Sequence, residues 1–371
     1  RIAIVDKKAG SVMRGLYYLE EGKDAEVTPH AADILNPDAV NAFIANVFEK
    51  FASRFVNDFG KTVTGIFTDE PSLLGRSPID GAVAGTTGIL EHVNRILGYD
   101  FTPHLPALWY DDEPDADRYR ADYQHAVKSR LDETYFKPIS DWCAEHNVAL
   151  SGHPCSSMDY GAERYFQIPG QDAVWRWVLP DTPSALEGVD STQAKCSSSA
   201  MVHNGRRLNS NECCGAYGHE LTWEEMVWLA NWCFIRGVNL LFPHAFYYSM
   251  RGCRRDERPP DVGPNSAWWP DYRKYADSCS RLGALNTDST QLCEIAIFCR
   301  SYELPWKAAK ICYQHQRDFN YIDLRDLMDK ATIDMHGIHI GTMTYKLLIV
   351  EKEMVDSNSI DILEKIKNLN L

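Results

Sequence analysis

Residues 36–60, NPDAVNAFIANVFEKFASRFVNDFG, carry a complete helical pattern, and a strand pattern, TVTGIF at 62–67, begins one residue later. Asn36 is placed to cap the helix, Pro37 to open it and Gly60 to stop it. Val40, Phe43, Ile44, Val47, Phe48 and Phe51 recur at helical spacing. A helix that turns at once into a buried strand has to fold back onto the sheet that the strand enters, which is the geometry of an α/β unit. The strand stops at Asp69-Glu70-Pro71, two acids and a proline where an ordinary polar turn would do.

The alternation continues. A long insertion rich in Pro, Asp and Tyr is expected over 75–120, a helix over 121–146 and a short strand, VALSGH, over 148–153. After a second irregular, aromatic stretch, SALEGVD (184–190) reads as a strand end, SSSAMVHNG (197–205) as a helix closed by Gly205, and RRLNSNE (206–212) as a strand. TWEEMVWLANWCFIRG (222–237) is a helix with Thr222 and Glu225 as a capping box and Gly237 as its stop. VNLLFPHAFYY (238–248) is a buried strand, and a helix follows over 267–283. Residues 1–285 thus supply about five or six βα units, and the fold class expected is a (β/α)8 TIM-type barrel with its remaining units before residue 1.

From about residue 290 the style changes. LCEIAIFC (292–299) and KLLIVEK (346–352) read as strands, residues 306–331 as largely helical, and SIDILEKIKNL (359–369) as a helix. This suits the start of a flavodoxin-like, doubly wound domain that is C-terminally incomplete, so the domains expected are 1–285 and 286–371. No Gly-rich phosphate loop occurs in it.

Composition excludes some partners. The net charge of −14 argues against nucleic acid and against an anionic membrane surface. No run of 18 apolar residues is present to span a bilayer. The 11 cysteines lack a C-x-x-C pair and metal-type spacing, so buried reduced thiols are expected, with no zinc. That favours a cytoplasmic protein and leaves a periplasmic one open. Among 10 Trp and 18 Tyr, many lie in loop-like stretches such as AVWRWV (173–178) and NSAWWPDY (265–272). Core filling accounts for part of them; flat faces for stacking on sugar C–H surfaces account for the rest.

In a barrel of this class, chemistry sits at the C-terminal ends of the strands. The polar residues that end the apolar runs are Asp69 and Glu70, His153, Asp190, Glu212, and His244 with Tyr247. Convergence in one mouth would bring carboxyls, imidazoles and aromatics together, the equipment for cleaving a glycosidic bond. One carboxyl has to carry a proton near neutral pH while another stays ionised. Each residue also has a structural explanation: a cap or loop acid for Asp69, a core histidine for His153 or His244. Glu220, Glu224 and Glu225 are explained by a helix N-terminus alone.

TDEP (68–71) resembles the Asn-Glu-Pro that ends the fourth strand in many retaining barrel glycosidases, in which the Glu is the acid/base; this chain has Asp69 in place of the Asn. KCSSSAMVHNGRRLNSNECCGAYG (195–218), WCFIRGVNLLFPHAFYY (232–248) and GPNSAWWPDYRKYADSCSRLGAL (263–285) resemble segments of glycoside hydrolase family 106, the α-L-rhamnosidases. The departures are Asn204, Arg207 and the cysteines after Glu212. The resemblance implies Glu70 as general acid and Glu212 as nucleophile or base. It also marks His244, Trp268 and Trp269 as active-site residues; beside it, the candidates for sugar contact are Asp69, His153, Asp190, Tyr217, His244, Tyr247 and Arg251, and those for stacking are Trp175, Trp268 and Trp269. No cofactor is required by it; calcium, which that family uses near the sugar, is the one metal it brings in. The C-terminal part resembles the amidotransferase-like module of family 42 β-galactosidases, which implies a homo-oligomer formed through that module. The partner expected is a carbohydrate substrate. Two readings stand beside this one: a non-catalytic sugar-binding scaffold on a decayed barrel, and a metal-dependent barrel hydrolase or isomerase.

Overall fold

The computed structural model describes residues 32–74, 81–252 and 258–371. The described residues divide into two compact units, one drawn from 32–64 and 71–148, the other from 65–70 and 149–371.

The first unit is helical. α1 (Pro37–Phe43) runs through a π turn, Ile44–Phe48, into α2 (Glu49–Phe55); α3 (Ile89–Leu97), α4 (Ala116–Leu131) and α5 (Lys137–Glu145) follow. Asn36 accepts a hydrogen bond from Asp38 N, and Pro37 opens α1, as the sequence predicts. Gly60 follows with φ +71°, the left-handed value that favours glycine. Its core includes Phe48, Phe59 and Trp142, the last stacked on His146 with ring centroids 3.9 Å apart.

The second unit is mixed α/β. β1 (Gly65–Asp69) pairs in parallel with β2 (Ala149–His153), and β3 (Gly170–Ala173), β4 (Ser210–Cys213) and β5 (Leu240–Pro243) form a second parallel set in chain order. A parallel bridge between Ser151 and Ile168 joins the two sets. Phe67 of β1 meets Phe242 of β5 edge to face, centroids 5.5 Å apart, so the array curls until its outer strands touch across the concave side. Helices α6 (Tyr160–Glu163), α7 (Gln193–His203), α8 (Trp223–Phe234) and α9 (Tyr272–Asn286) lie between or after these strands. Thr222 and Glu225 form both arms of the capping box on α8.

The strands approach closely because two positions lack a side chain. Gly152 has φ +111°, and a Cβ there would lie 2.0 Å from Thr68 O. A Cβ at Gly170 would lie 2.2 Å from Ser210 Oγ and 2.6 Å from Gly152 O. No side chain fits such distances without moving backbone.

The C-terminal part of this unit has a parallel sheet of β6 (Ile295–Cys299), β7 (Asn320–Asp323) and β11 (Leu347–Ile349) in the order β11-β6-β7. It also holds an antiparallel meander, β8 (Thr332–Asp334), β9 (Gly337–Ile340) and β10 (Met343–Tyr345). Helices α10 (Trp306–Gln314), α11 (Leu324–Asp329) and α12 (Ile360–Asn368) complete it. A buried polar seam ties it to α7. Lys195 Nζ donates to Asp318 Oδ1 at 2.9 Å, and Tyr321 N donates to Ser199 Oγ at 2.9 Å. Tyr160 OH donates to Asp326 Oδ2 at 2.5 Å, and His203 bridges Tyr160 OH at 2.9 Å and Tyr345 OH at 2.6 Å.

Several expectations are corrected. Residues 184–190 hold no strand; two 3-10 turns, Pro183–Ala185 and Val189–Thr192, lead into α7. The largely helical stretch expected at 306–331 is interrupted by β7, four buried residues that only their neighbour β6 makes a strand. β3, sequence GQDA, has no β-branched residue and was hidden in the aromatic stretch. Helix 121–146 is longer at its start, and the last strand before the C-terminal part is the short β5 rather than 238–248. Among the described residues, no helix is long and apolar enough to cross a membrane.

Gly152→Ala should destabilise the protein by about 2 kcal/mol or more, because φ and contact are both unfavourable to a side chain. Chemical denaturation would measure this; a stability within about 0.5 kcal/mol of wild type would contradict the close packing of β1 on β2.

Candidate active site

Strand alternation decides which side chains share the concave face. Asp69 and His153 are register partners at the ends of β1 and β2, and Asp172 and Glu212 are register partners in β3 and β4. His244 is the residue directly after β5. Their side chains meet. His244 Nδ1 lies 2.7 Å from Glu212 Oε1, and His153 Nε2 lies 3.2 Å from Glu212 Oε2. Asp69 Oδ1 stands 3.8 Å from His153 Nε2. Phe67, two residues before Asp69, sets its ring edge to face on the His153 imidazole, centroids 5.8 Å apart.

The protonation pattern follows from these contacts. His153 is buried, with its Nδ1 3.2 Å from the carbonyl of Pro154 and its Nε2 on a carboxylate. Both neighbours are acceptors, so both ring nitrogens have to carry protons. Burial works against the charged ring, but the hydrogen bond to Glu212 and the charges of Asp172 and Glu212 outweigh it and push its pKa up to about 9. Burial would raise Glu212 as well; hydrogen bonds from His153 and His244 overcome it and hold the carboxyl at about 2. Glu212 is thus a fixed anion with an imidazole on each oxygen.

Asp172 behaves in the opposite way. Burial, with the charges of Glu212, Glu70 and Asp69, raises its carboxyl well above the usual range, against the pull of His153. Its Oδ1 is closed to solvent and has no hydrogen-bond partner. Glu163, one layer behind, accepts from Gly170 N at 3.1 Å and Gln171 Nε2 at 2.7 Å and so fixes the start of β3. Burial pushes it up to about 8.

Of the residues expected at the site, Asp69, His153, Glu212 and His244 come together. Glu70 follows β1 half-buried, with φ +42°, and its charge acts on Asp172. Asp69 therefore lies in the contact cluster beside Glu212, a place the sequence reading gave to Glu70. Asp190 accepts from Ser157 Oγ at 2.7 Å in the turn before α7. Tyr217 is a core residue, its hydroxyl donating to Val178 O at 2.7 Å. Tyr247 donates to Pro259 O at 3.1 Å, and Arg251 is exposed. Trp175 is exposed, with the Arg258 guanidinium 4.9 Å above its ring. Trp268 packs toward Trp223 at 6.5 Å, whereas Trp269 is exposed and stacks on Tyr272 at 5.2 Å. Sequence reasoning missed Asp172, whose strand has no strand-like composition, and Phe246, which packs on Trp269 at 6.0 Å two residues after His244.

Asp69, His153 and Glu212 each bring one donor atom within 4.8 Å of the others, so among the described residues they form a group able to hold a cation. Two carboxylates and an imidazole do not make a calcium cage, which takes about six to eight oxygens.

The protonation pattern sets a pH profile. Glu212's folded pKa lies below its ordinary value of 4.5, so its contribution to stability is present above 4.5 and fades as pH falls toward 2. His153's lies above 6.5, so its contribution is complete below 6.5 and is lost as pH rises through about 9. An imidazole titration by NMR should find one histidine, absent in His153→Gln, with its midpoint near 9; a midpoint at or below 6.5 would contradict the doubly bonded ring.

No protein-family model matches the chain, and no curated protein does. Two solved structures are similar in fold. A rhamnosidase from Novosphingobium sp. PP1Y aligns with a TM-score of 0.63 and 16% identity over 92% of this chain and 34% of its own. A β-galactosidase from Rahnella sp. R3 aligns with a TM-score of 0.55 and 9% identity over 87% of this chain and 51% of its own. The chain therefore spans about a third of the one and half of the other.

Proposed function

We propose that this chain is part of a glycoside hydrolase, with strands β1–β5 as an arc of a (β/α)8-type barrel and the site at their C-terminal ends. The observation that carries the reading is Glu212, an anion gripped by two imidazoles, with the acids Asp69 and Glu70 at the end of the strand whose Phe67 touches the same His153. The fold likeness to a rhamnosidase and a β-galactosidase supports it. A fixed anion suits the half of the reaction that needs no proton. As a base, Glu212 would take a proton from water as that oxygen attacks the anomeric carbon. As a nucleophile, its oxygen would form the bond to that carbon itself. In either case the bond to the leaving oxygen breaks, and Glu70 gives that oxygen its proton.

The exposed Trp175 and the Phe246–Trp269–Tyr272 group offer flat apolar faces to sugar rings. An α-L-rhamnoside is the first substrate to try. Residues 1–285 would be the catalytic part, and residues 286–371 a module that serves assembly. The site's own donors do not fit calcium, and no step here passes through a metal.

Glu212→Gln and Glu70→Gln should each lower turnover of a cleaved aryl glycoside by about a thousandfold or more, given the size of nucleophile and acid/base effects. A screen of aryl glycosides, with product anomers read by NMR, provides the substrate and the stereochemistry. Unchanged turnover in Glu212→Gln would end this reading.

A further inference from the structure

The glycosidase reading leaves Asp172 without a role, and the inference that follows rests on that reading. Asp172 is opposite Glu212 in the β3–β4 register. Its Oδ1 is closed to solvent and meets no donor. Beside it the wall is a glycine: a Cβ built on Gly215 would stand 3.6 Å from that oxygen, 3.5 Å from His244 Nδ1 and 3.1 Å from Val174 Cγ2. Three other carboxylates, those of Glu212, Glu70 and Asp69, repel it.

The charge of His153 favours the ionised form, but burial and the three carboxylates outweigh it. A buried carboxyl oxygen without a donor, placed among like charges, opposes the folded state. Asparagine has nearly the same shape and would avoid the repulsion. Groups that work against stability in this way gather where a bound molecule supplies the missing partner. Glu212 is the residue that would reach the anomeric carbon, and Asp172 is its neighbour one strand away. A sugar offers hydroxyl donors next to that carbon.

We infer that Asp172 is a substrate-binding, specificity-determining residue whose carboxyl accepts a hydrogen bond from a ring hydroxyl adjacent to the carbon at which Glu212 acts.

The test compares Asp172→Asn with the wild-type protein in two measurements. Without ligand, the variant should melt higher, by about 2 °C or more, because a repelled buried acid has been removed. On the aryl glycoside that the wild type cleaves, KM should rise about tenfold or more with kcat changed less, since a ground-state contact has gone. If the wild type cleaves none of the panel, calorimetric titration with free L-rhamnose and D-galactose replaces kinetics, and the variant should bind at least about tenfold more weakly. A variant that melts lower would show that Asp172 holds the fold, and the inference falls. An unchanged KM or Kd overturns it equally. Hydrolysis by the wild type with an indifferent variant defeats this inference alone. A wild type that neither cleaves nor binds any of the sugars defeats both it and the glycosidase reading.

Discussion

A carbonyl oxygen, that of Thr68, fills the space where any side chain at position 152 would begin. That single approach fixes how β1 and β2 lie together. With Thr68 set against Gly152, the next pair in register is Asp69 with His153, and the acid and the imidazole arrive at the same height. Gly170 repeats the device one strand further, between Gly152 O and Ser210 Oγ, and so carries the same tight spacing toward β4 and Glu212. A slip by one residue would send each of these side chains to the opposite face.

Once brought together, the groups set one another's charge. Four carboxyls cannot all be ionised at close range without compensation. His153 and His244 compensate one of them, Glu212, through two hydrogen bonds. Asp172 receives no such hydrogen bond; burial and the charges of Glu212, Glu70 and Asp69 drive it toward its neutral form against the pull of His153. Two acids side by side on adjacent strands therefore differ in protonation because of where donors stand, not because of residue type.

Much of this was legible in the sequence. Caps and stops announced the helices: Asn36-Pro37 on α1 and Thr222 with Glu225 on α8 act as their residue types dictate. Strand ends drew attention to Asp69, His153, Glu212 and His244, which do converge. Local pattern failed where neighbours, not composition, make the structure. β3 is GQDA, and β7 is four residues in a stretch that reads as helix; each is a strand because a partner strand pairs with it. Asp172 was overlooked with β3. The Asp190 reading failed for the converse reason, since Ser157 and two 3-10 turns claim a segment whose letters resemble a strand. Tyr217 was misplaced because a hydroxyl can be satisfied by the Val178 carbonyl within the core as readily as by a ligand.

The polar seam along α7 bears on how the C-terminal segment is attached. Lys195, Ser199 and His203 recur on one side of that helix and bond to Asp318, the backbone of Tyr321, and Tyr345. Groups of this kind, stripped of their partners, would face water as an ammonium, a hydroxyl and an imidazole on a helix flank otherwise lined with buried residues. Cut away from residues 286–371, α7 would therefore lose the partners of its polar side. The later stretch supplies the partners of the helix that leads into the Glu212 strand.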